Sequence, residues 1–179
     1  MNPYGFLLLL LHLASNFYTI AVASALGPRP GQIKNLVTFG DSYTDVGSPA
    51  DGGTAWPTYA AEYGHFDLFP FAKSGATCSN NLTDRPFPSV FESQLPLYFE
   101  GVANGTLKLD SDETMFTLWI GTNDVGRAAL LTGDQIPGVT IVDTVGCAVN
   151  WVKVLYERGA RNFVFQNVSA QRTDCTNPT

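Results

Sequence analysis

Charge is scarce in this sequence. Only 15% of its 179 residues are Asp, Glu, Lys or Arg, and 10 basic side chains face 16 acidic ones. A net charge of −6 with no basic stripe excludes nucleic acid as a partner, since phosphate neutralisation needs clustered Lys and Arg. No uninterrupted apolar run reaches the 18 or so residues of a membrane-spanning helix, so a stable membrane anchor is not expected either. Histidine occurs only at positions 12 and 65, and cysteine only at 78, 147 and 175. Repeats and low-complexity tracts are absent. What is present is an ordinary apolar fraction of 45%, which excludes wholesale disorder, in a length suited to one domain.

The first 25 residues carry no charged side chain. Phe6 to Leu13 form an apolar core, and Ala23-Ser24-Ala25 fits the small-x-small pattern of a signal-peptidase site. The segment departs from pattern in having no Lys or Arg before its apolar core. Residues 1–25 are therefore expected to be a cleaved export signal, with the domain occupying 26–179 and the product extracellular. Asn81-Leu-Thr83, Asn104-Gly-Thr106 and Asn167-Val-Ser169 are glycosylation sequons, which agree with that route. In an oxidising compartment three cysteines allow one disulfide and a spare thiol, and spacing does not say which pair forms.

Beyond the export signal, short and long apolar patterns alternate. Leu36 to Phe39, Met115 to Ile120 and Asn162 to Asn167 read as strands. Thr54 to Tyr63 reads as a helix with Pro57 in its first turn. Val90 to Phe99 reads as a second helix that Pro96 should kink or split. Thr140 to Arg158 is the longest helical pattern, capped by Thr140, ended by Gly159, with Ile141, Val145, Ala148, Val149, Val152, Leu155 and Tyr156 as its apolar face. Alternating strands and helices imply parallel βαβ units with helices on both sheet faces. In such sheets the site lies at the carboxyl ends of the strands.

Two Gly-opened turns stand at those ends: Gly40-Asp41-Ser42-Tyr43-Thr44-Asp45 and Gly121-Thr122-Asn123-Asp124. A serine exposed on such a turn suits a nucleophile, and an asparagine on the neighbouring turn can donate its amide to a developing oxyanion. Between them, Ser74-Gly75-Ala76-Thr77 offers another tight turn with backbone N–H groups. Each piece alone also fits ordinary turn and helix-cap chemistry. A phosphate-cradling loop is opposed by Asp41 and Asp45, and a metal pocket of Asp41, Asp45 and Asp124 lacks a ligand spacing. Trp56, Tyr59 and Phe87 suit a sugar platform less well than core or ordinary surface.

Taken in order, Phe39 to Gly47, Ser74-Gly75-Ala76 and Trp119 to Asp124 resemble the SGNH (GDSL-type) hydrolases, most closely the secreted fungal carbohydrate-esterase and acetylesterase branch. Phe163 to Val168, with Arg172, is similar to the strand and loop that follow in that branch. The resemblance implies a three-layer α/β/α sandwich with a parallel, flavodoxin-like sheet, and hydrolysis of carboxylic esters through a serine acyl-enzyme. It implies Ser42 as nucleophile and oxyanion-hole N–H, Gly75 as a second donor and Asn123 as a third. The substrate it implies is a small, short-acyl ester or an acylated carbohydrate. No metal or organic cofactor is expected, because a serine mechanism carries its own nucleophile.

The family's fourth block, a C-terminal Asp-x-x-His holding the general base and its carboxylate, has no counterpart in this chain. Asp174-Cys175-Thr176-Asn177 has the spacing but ends in a residue that cannot take a proton. His65 follows a helix and is a poor substitute. The expectation is a C-terminally incomplete hydrolase domain, with an apolar sheet edge left uncovered and little or no turnover by these residues alone. In triads of this type, losing the base costs about 10⁶-fold. The alternative is a non-catalytic, secreted ligand-binding protein of the same fold.

Overall fold

The computed structural model describes residues 27–49 and 52–166. The export segment, the sequon at Asn167, Arg172 and Cys175 lie outside the described residues.

Strand β1 (Asn35–Gly40) is followed by helix α1 (Trp56–Gly64), strand β2 (Asp67–Pro70), a π-helical turn (Val90–Gln94), helix α2 (Leu95–Ala103) and strand β3 (Thr114–Trp119). A one-turn helix α3 (Thr122–Val125), the long helix α4 (Ile141–Glu157) and strand β4 (Asn162–Gln166) complete the described chain. The four strands are all parallel, in the order β2-β1-β3-β4. Gly40 is in register with Trp119, and Trp119 with Gln166, so three strands end on one line. The chain passes from β1 outward to β2, then returns to the other side of β1 as β3. That reversal is the topological switch point, where loops diverge and leave a crevice at the strands' carboxyl ends.

Alternation along the strands sorts the two faces. Val37, Phe39, Phe116 and Leu118 point to the main core, where they meet Leu95 and Tyr98 of α2 and Trp151 and Leu155 of α4. Phe39 is its centre, stacked on Phe71 at 5.4 Å and edge-on to Tyr98 at 5.8 Å and Trp151 at 5.7 Å. The opposite face, with Leu36, Met115, Thr117 and Val164, lies beside Trp56 and Ala60 of α1. Helices thus lie on both faces of a parallel sheet, the α/β/α sandwich expected from the alternating pattern.

Local chemistry explains most boundaries. Asp143 of α4 accepts from the Thr140 N–H at 2.8 Å and from its hydroxyl at 2.7 Å, fastening the helix start. Pro96 does split its segment. It sits in the first turn of α2, where its missing N–H costs nothing, and the residues before it widen into a π-turn closed by Leu95 N–H to Val90 O. Strand β2 escapes sequence reading because Asp67-Leu-Phe-Pro is short, partly exposed and ends in proline at the sheet edge.

The apolar face of α4 needs correction. Thr144, Trp151 and Leu155 are buried, whereas Ile141, Val145, Val149 and Tyr156 are exposed. The helix is rolled so that Trp151, its largest side chain, reaches Phe39, and Cys147 reaches Cys78. Ile141, Val145 and Val149 instead line, with Ile120, Val125 and Phe165, an open apolar groove of about 510 Å³ beside β4. No element among the described residues covers it.

The disulfide that spacing left open is Cys78–Cys147, spanning 69 residues. It ties the fully buried Cys78 of the loop after β2 to the middle of α4. Closing a loop of that length is worth about 4 kcal/mol on the chain-entropy account. Replacing both cysteines by serine should lower stability by roughly that amount, or 2–4 kcal/mol after relaxation, read from denaturant midpoints. An unchanged midpoint would show that the bond constrains nothing.

Candidate active site

The crevice at the switch point collects all three turns singled out in the sequence. Gly40 ends β1 at φ 147°, and a Cβ there would lie 2.3 Å from the Trp119 carbonyl oxygen. Only glycine lets β1 and β3 stay this close while the chain turns away. The Asp41 N–H continues the ladder to Trp119 O at 3.3 Å, and the Asp41 carbonyl then accepts from the Thr44 and Asp45 N–H groups at 3.0 Å each. Within this turn Tyr43 donates its N–H to Asp41 Oδ1 at 3.0 Å. Ser42 is half-buried at the turn's crest, and among the described residues neither its hydroxyl nor its N–H has a hydrogen-bond partner.

Asp45 draws the second turn in. Its Oδ1 accepts from Gly47 N–H at 2.9 Å and Ser48 N–H at 3.3 Å, while Oδ2 accepts from Ser74 N–H at 2.8 Å. Although partial burial opposes the charge, these bonds and the Lys73 ammonium hold the carboxyl below the usual carboxylate range. The Ser74 hydroxyl donates back to the Ser48 carbonyl. Gly75 follows at φ 80° with the Phe87 ring where a Cβ would be, 2.5 Å away, so glycine is again required. The Gly75 N–H also has no acceptor among the described residues.

The third turn is opened by Gly121 at φ 123°, and it places Asn123 and Asp124 in α3. Asn123 donates one amide hydrogen from Nδ2 to the Ala76 carbonyl at 2.8 Å, and among the described residues its second hydrogen has no acceptor. Asp124 Oδ1 accepts from the Cys78 N–H at 2.9 Å. The loop running from Ser74 to Cys78 is therefore held by Asp45 on one side and by Asn123 and Asp124 on the other. Among the described residues, the Ser42 N–H, the Gly75 N–H and the second Asn123 amide hydrogen have no acceptor in this arrangement.

Asp41 and Asp124 are fully buried, each with an Oδ2 that lacks a partner. Burial pushes Asp41 up to about 6. It pushes Asp124 up to about 6 as well, with the neighbouring Asp41 charge adding to the rise and Arg85 opposing it. The two carboxylates thus sense each other beneath the turns. Asp45 spends its oxygens on backbone N–H groups of two loops, so these acids brace turns rather than gather as a cation cage.

His65 is an exposed left-handed C-cap of α1. It precedes Asp67, the residue in register with the first residue of β1, whereas Ser42 follows the last. A six-residue strand, about 20 Å long, therefore separates His65 from Ser42, and it cannot serve as base. Phe87 packs against Gly75, Trp56 donates from Nε1 to Thr44 at 3.2 Å, and Tyr59 stacks on Tyr63 at 6.2 Å. Asn81 and Asn104 are both exposed; Asn81 Nδ2 donates to Glu92 at 2.9 Å, and Asn104 Oδ1 accepts from the Thr106 hydroxyl at 2.8 Å.

The sequence profile of GDSL-like lipase/acylhydrolases matches residues 36–173, from β1 through all three turns. The chain belongs to that family. Among characterised proteins it is similar to an acetylesterase of Hypocrea jecorina, 30% identical over 87% of this chain and 54% of the relative. It is also similar to an acetylesterase of Thermothelomyces thermophilus, 28% identical over 78% of this chain and 55% of the relative. The chain spans about half the length of the curated relatives it matches.

Sequence reading missed Gln94. Its side chain is 2% exposed and joins the Gly40 N–H, the Gly40 carbonyl and the Pro88 carbonyl. The available signal was a polar residue on the stripe of Val90 and Tyr98, where a buried amide must find partners. Tyr43, stacked on Trp119 at 5.2 Å beside Ser42, was also missed, and nothing in its spacing marks it.

The buried acids give a signed prediction. A carboxyl raised to about 6 in the folded protein stabilises it most below about pH 4, and that contribution is lost as pH rises through 6. Asp124→Asn keeps the acceptor for Cys78 and removes the charge. It should flatten the fall in stability between about pH 4 and 6 and gain up to about 3 kcal/mol at neutral pH. Denaturant titrations at several pH values check this; a variant with wild-type slope would place the ionisation elsewhere.

Proposed function

We propose that this chain carries the nucleophile and the oxyanion hole of a secreted serine esterase acting on short-acyl, chiefly acetyl, carboxylic esters. The observation that supports the reading most is that the three turns at the switch point carry donors without an acceptor among the described residues: the Ser42 N–H, the Gly75 N–H and the second Asn123 amide hydrogen. The acetylesterase relatives support the acyl group, and acylated carbohydrate is the substrate class that the resemblance in the sequence adds.

In this reading the Ser42 Oγ adds to the ester carbonyl carbon as its proton passes to a general base. Negative charge develops on the former carbonyl oxygen, where Ser42 N–H, Gly75 N–H and Asn123 Nδ2 receive it. Collapse of the tetrahedral intermediate expels the alcohol and leaves an acyl-serine. Water then attacks that ester through a second oxyanion held by the same donors, releasing the acid and restoring Ser42. The donors are fixed before substrate arrives, because Asp45, Asn123 and Asp124 have already anchored the Gly75 loop. Among the described residues, His65 is not placed to be that base.

Export fits the uncharged, apolar N-terminal segment, and Asn81 and Asn104 stand on surfaces that can carry a glycan. In the full-length gene product, Ser42→Ala should abolish hydrolysis of p-nitrophenyl acetate and labelling by a serine-directed phosphonate. Asn123→Ala should lower kcat by about 10² to 10³, the usual effect of one lost oxyanion donor, with KM little changed. Full turnover in Ser42→Ala would refute the assignment. Ligand binding with neither turnover nor labelling in the wild type would favour a non-catalytic binding protein.

A further inference from the structure

We propose that Gln94 is the positioning residue of the nucleophile turn: its side-chain amide stands in for a strand residue beside Gly40 and fixes where Asp41 and Ser42 leave the sheet. The proposal rests on Ser42 being the nucleophile, and the geometry that carries it is independent of that role.

Strand β2 runs out before β1 does. Its last residue, Pro70, is in register with Thr38, and Phe71 and Ala72 both turn back to the Thr38 carbonyl at 2.8 and 3.1 Å. Gly40 is thereby left on that side without a strand to pair with, two residues before Ser42. Gln94 occupies the gap. Its Oε1 accepts from the Gly40 N–H at 3.1 Å, and its Nε2 donates to the Gly40 carbonyl at 2.8 Å. A carboxamide offering one acceptor and one donor to the same residue reproduces what a neighbouring peptide backbone would supply. The second Nε2 hydrogen goes to the Pro88 carbonyl at 3.1 Å, so both amide hydrogens are used.

Among the described residues nothing else replaces this contact. Gln94 Oε1 is the acceptor of the Gly40 N–H, and the Lys73 N–H, at 3.1 Å, shares only the Gly40 carbonyl. On the opposite side the Trp119 carbonyl oxygen presses so close that no side chain fits at Gly40. Gly40, conformationally the freest residue, is thus gripped between β3 and Gln94 just where the chain must be aimed. The π-turn makes the grip possible. Its wide turn, closed by Gln94 N–H to Ser89 O at 3.0 Å and Leu95 N–H to Val90 O, carries Gln94 to the buried side along with Val90. Such π segments recur at functional sites because they re-aim one residue without ending the helix.

The test compares wild type, Gln94→Met and Gln94→Glu in the full-length gene product, with Ser42→Ala as the blank. Steady-state hydrolysis of p-nitrophenyl acetate is read alongside amide hydrogen exchange across Phe39 to Tyr43. Gln94→Met keeps the volume and removes every bond. It should lower kcat by about 100-fold with KM within about twofold, in a protein that melts cooperatively, and it should expose the Gly40 amide to exchange. A folded Gln94→Met with kcat within about threefold of wild type, or with protection at Gly40 unchanged, overturns the proposal. Should that variant not fold, Gln94→Glu, which retains the acceptor and the shape, is read by the same division: kcat down at least tenfold at constant KM supports positioning, and unaltered kcat overturns it. If wild type shows no Ser42-dependent turnover, the esterase reading fails, and exchange alone decides: protection lost only around Gly40 upholds the clamp, and protection retained removes it.

Discussion

The closeness of Gly40 to the Trp119 carbonyl is the constraint on which the site depends. It holds β1 and β3 in register to their last residues and sends the two following turns out side by side. The same glycine receives Lys73 from the second loop and Gln94 from the π-turn. The end of β3, the second loop and the π-turn therefore all meet at one backbone position. Any atom added there would separate the strands, tilt the Ser42 turn and loosen the loop that carries Gly75.

The bracing around that position is mostly carboxylate to backbone. Asp41 closes its own turn, Asp45 crosses to Ser74, and Asp124 reaches Cys78, which the disulfide then locks to α4. Each of these acids gives up hydration to hold N–H groups in place, and the raised values of Asp41 and Asp124 are the energetic trace of that exchange. The result is a braced rim, and among the described residues the Ser42 and Gly75 N–H groups on it have no acceptor. In the proposed esterase, donors that need not move would receive developing charge without reorganisation, which is what the buried acids would contribute.

Much of this was legible in the sequence because the signals are local. Strands β1, β3 and β4 and helix α4 announce themselves by apolar runs, β-branched and aromatic residues, a capping pair and closing glycines. The candidate site residues Ser42, Gly75 and Asn123 were legible for a different reason: each sits in a short Gly-containing turn, and chain order alone places two of those turns at strand ends. What escaped was decided by packing between distant elements. The apolar stripe of α4 read from its own sequence includes Ile141, Val145 and Val149, yet the helix rolls to seat Trp151 and Cys147 instead. Gln94 lies 54 residues from its partner Gly40, and the pairing Cys78–Cys147 spans 69, distances at which sequence carries no geometric information.

The sequence by itself determined the alternation of strands and helices, the placement of three glycine-opened turns and the residue types each turn presents, because backbone propensity and turn sterics act within a few residues. The tertiary structure alone decided that the three turns share one crevice and that His65 stands at the opposite end of the sheet. It also decided which cysteines pair, and that a buried glutamine completes β1 where β2 stops. Those outcomes depend on strand order and register, and no residue can specify its neighbours across a sheet until the crossover connections have set which strand lies beside which.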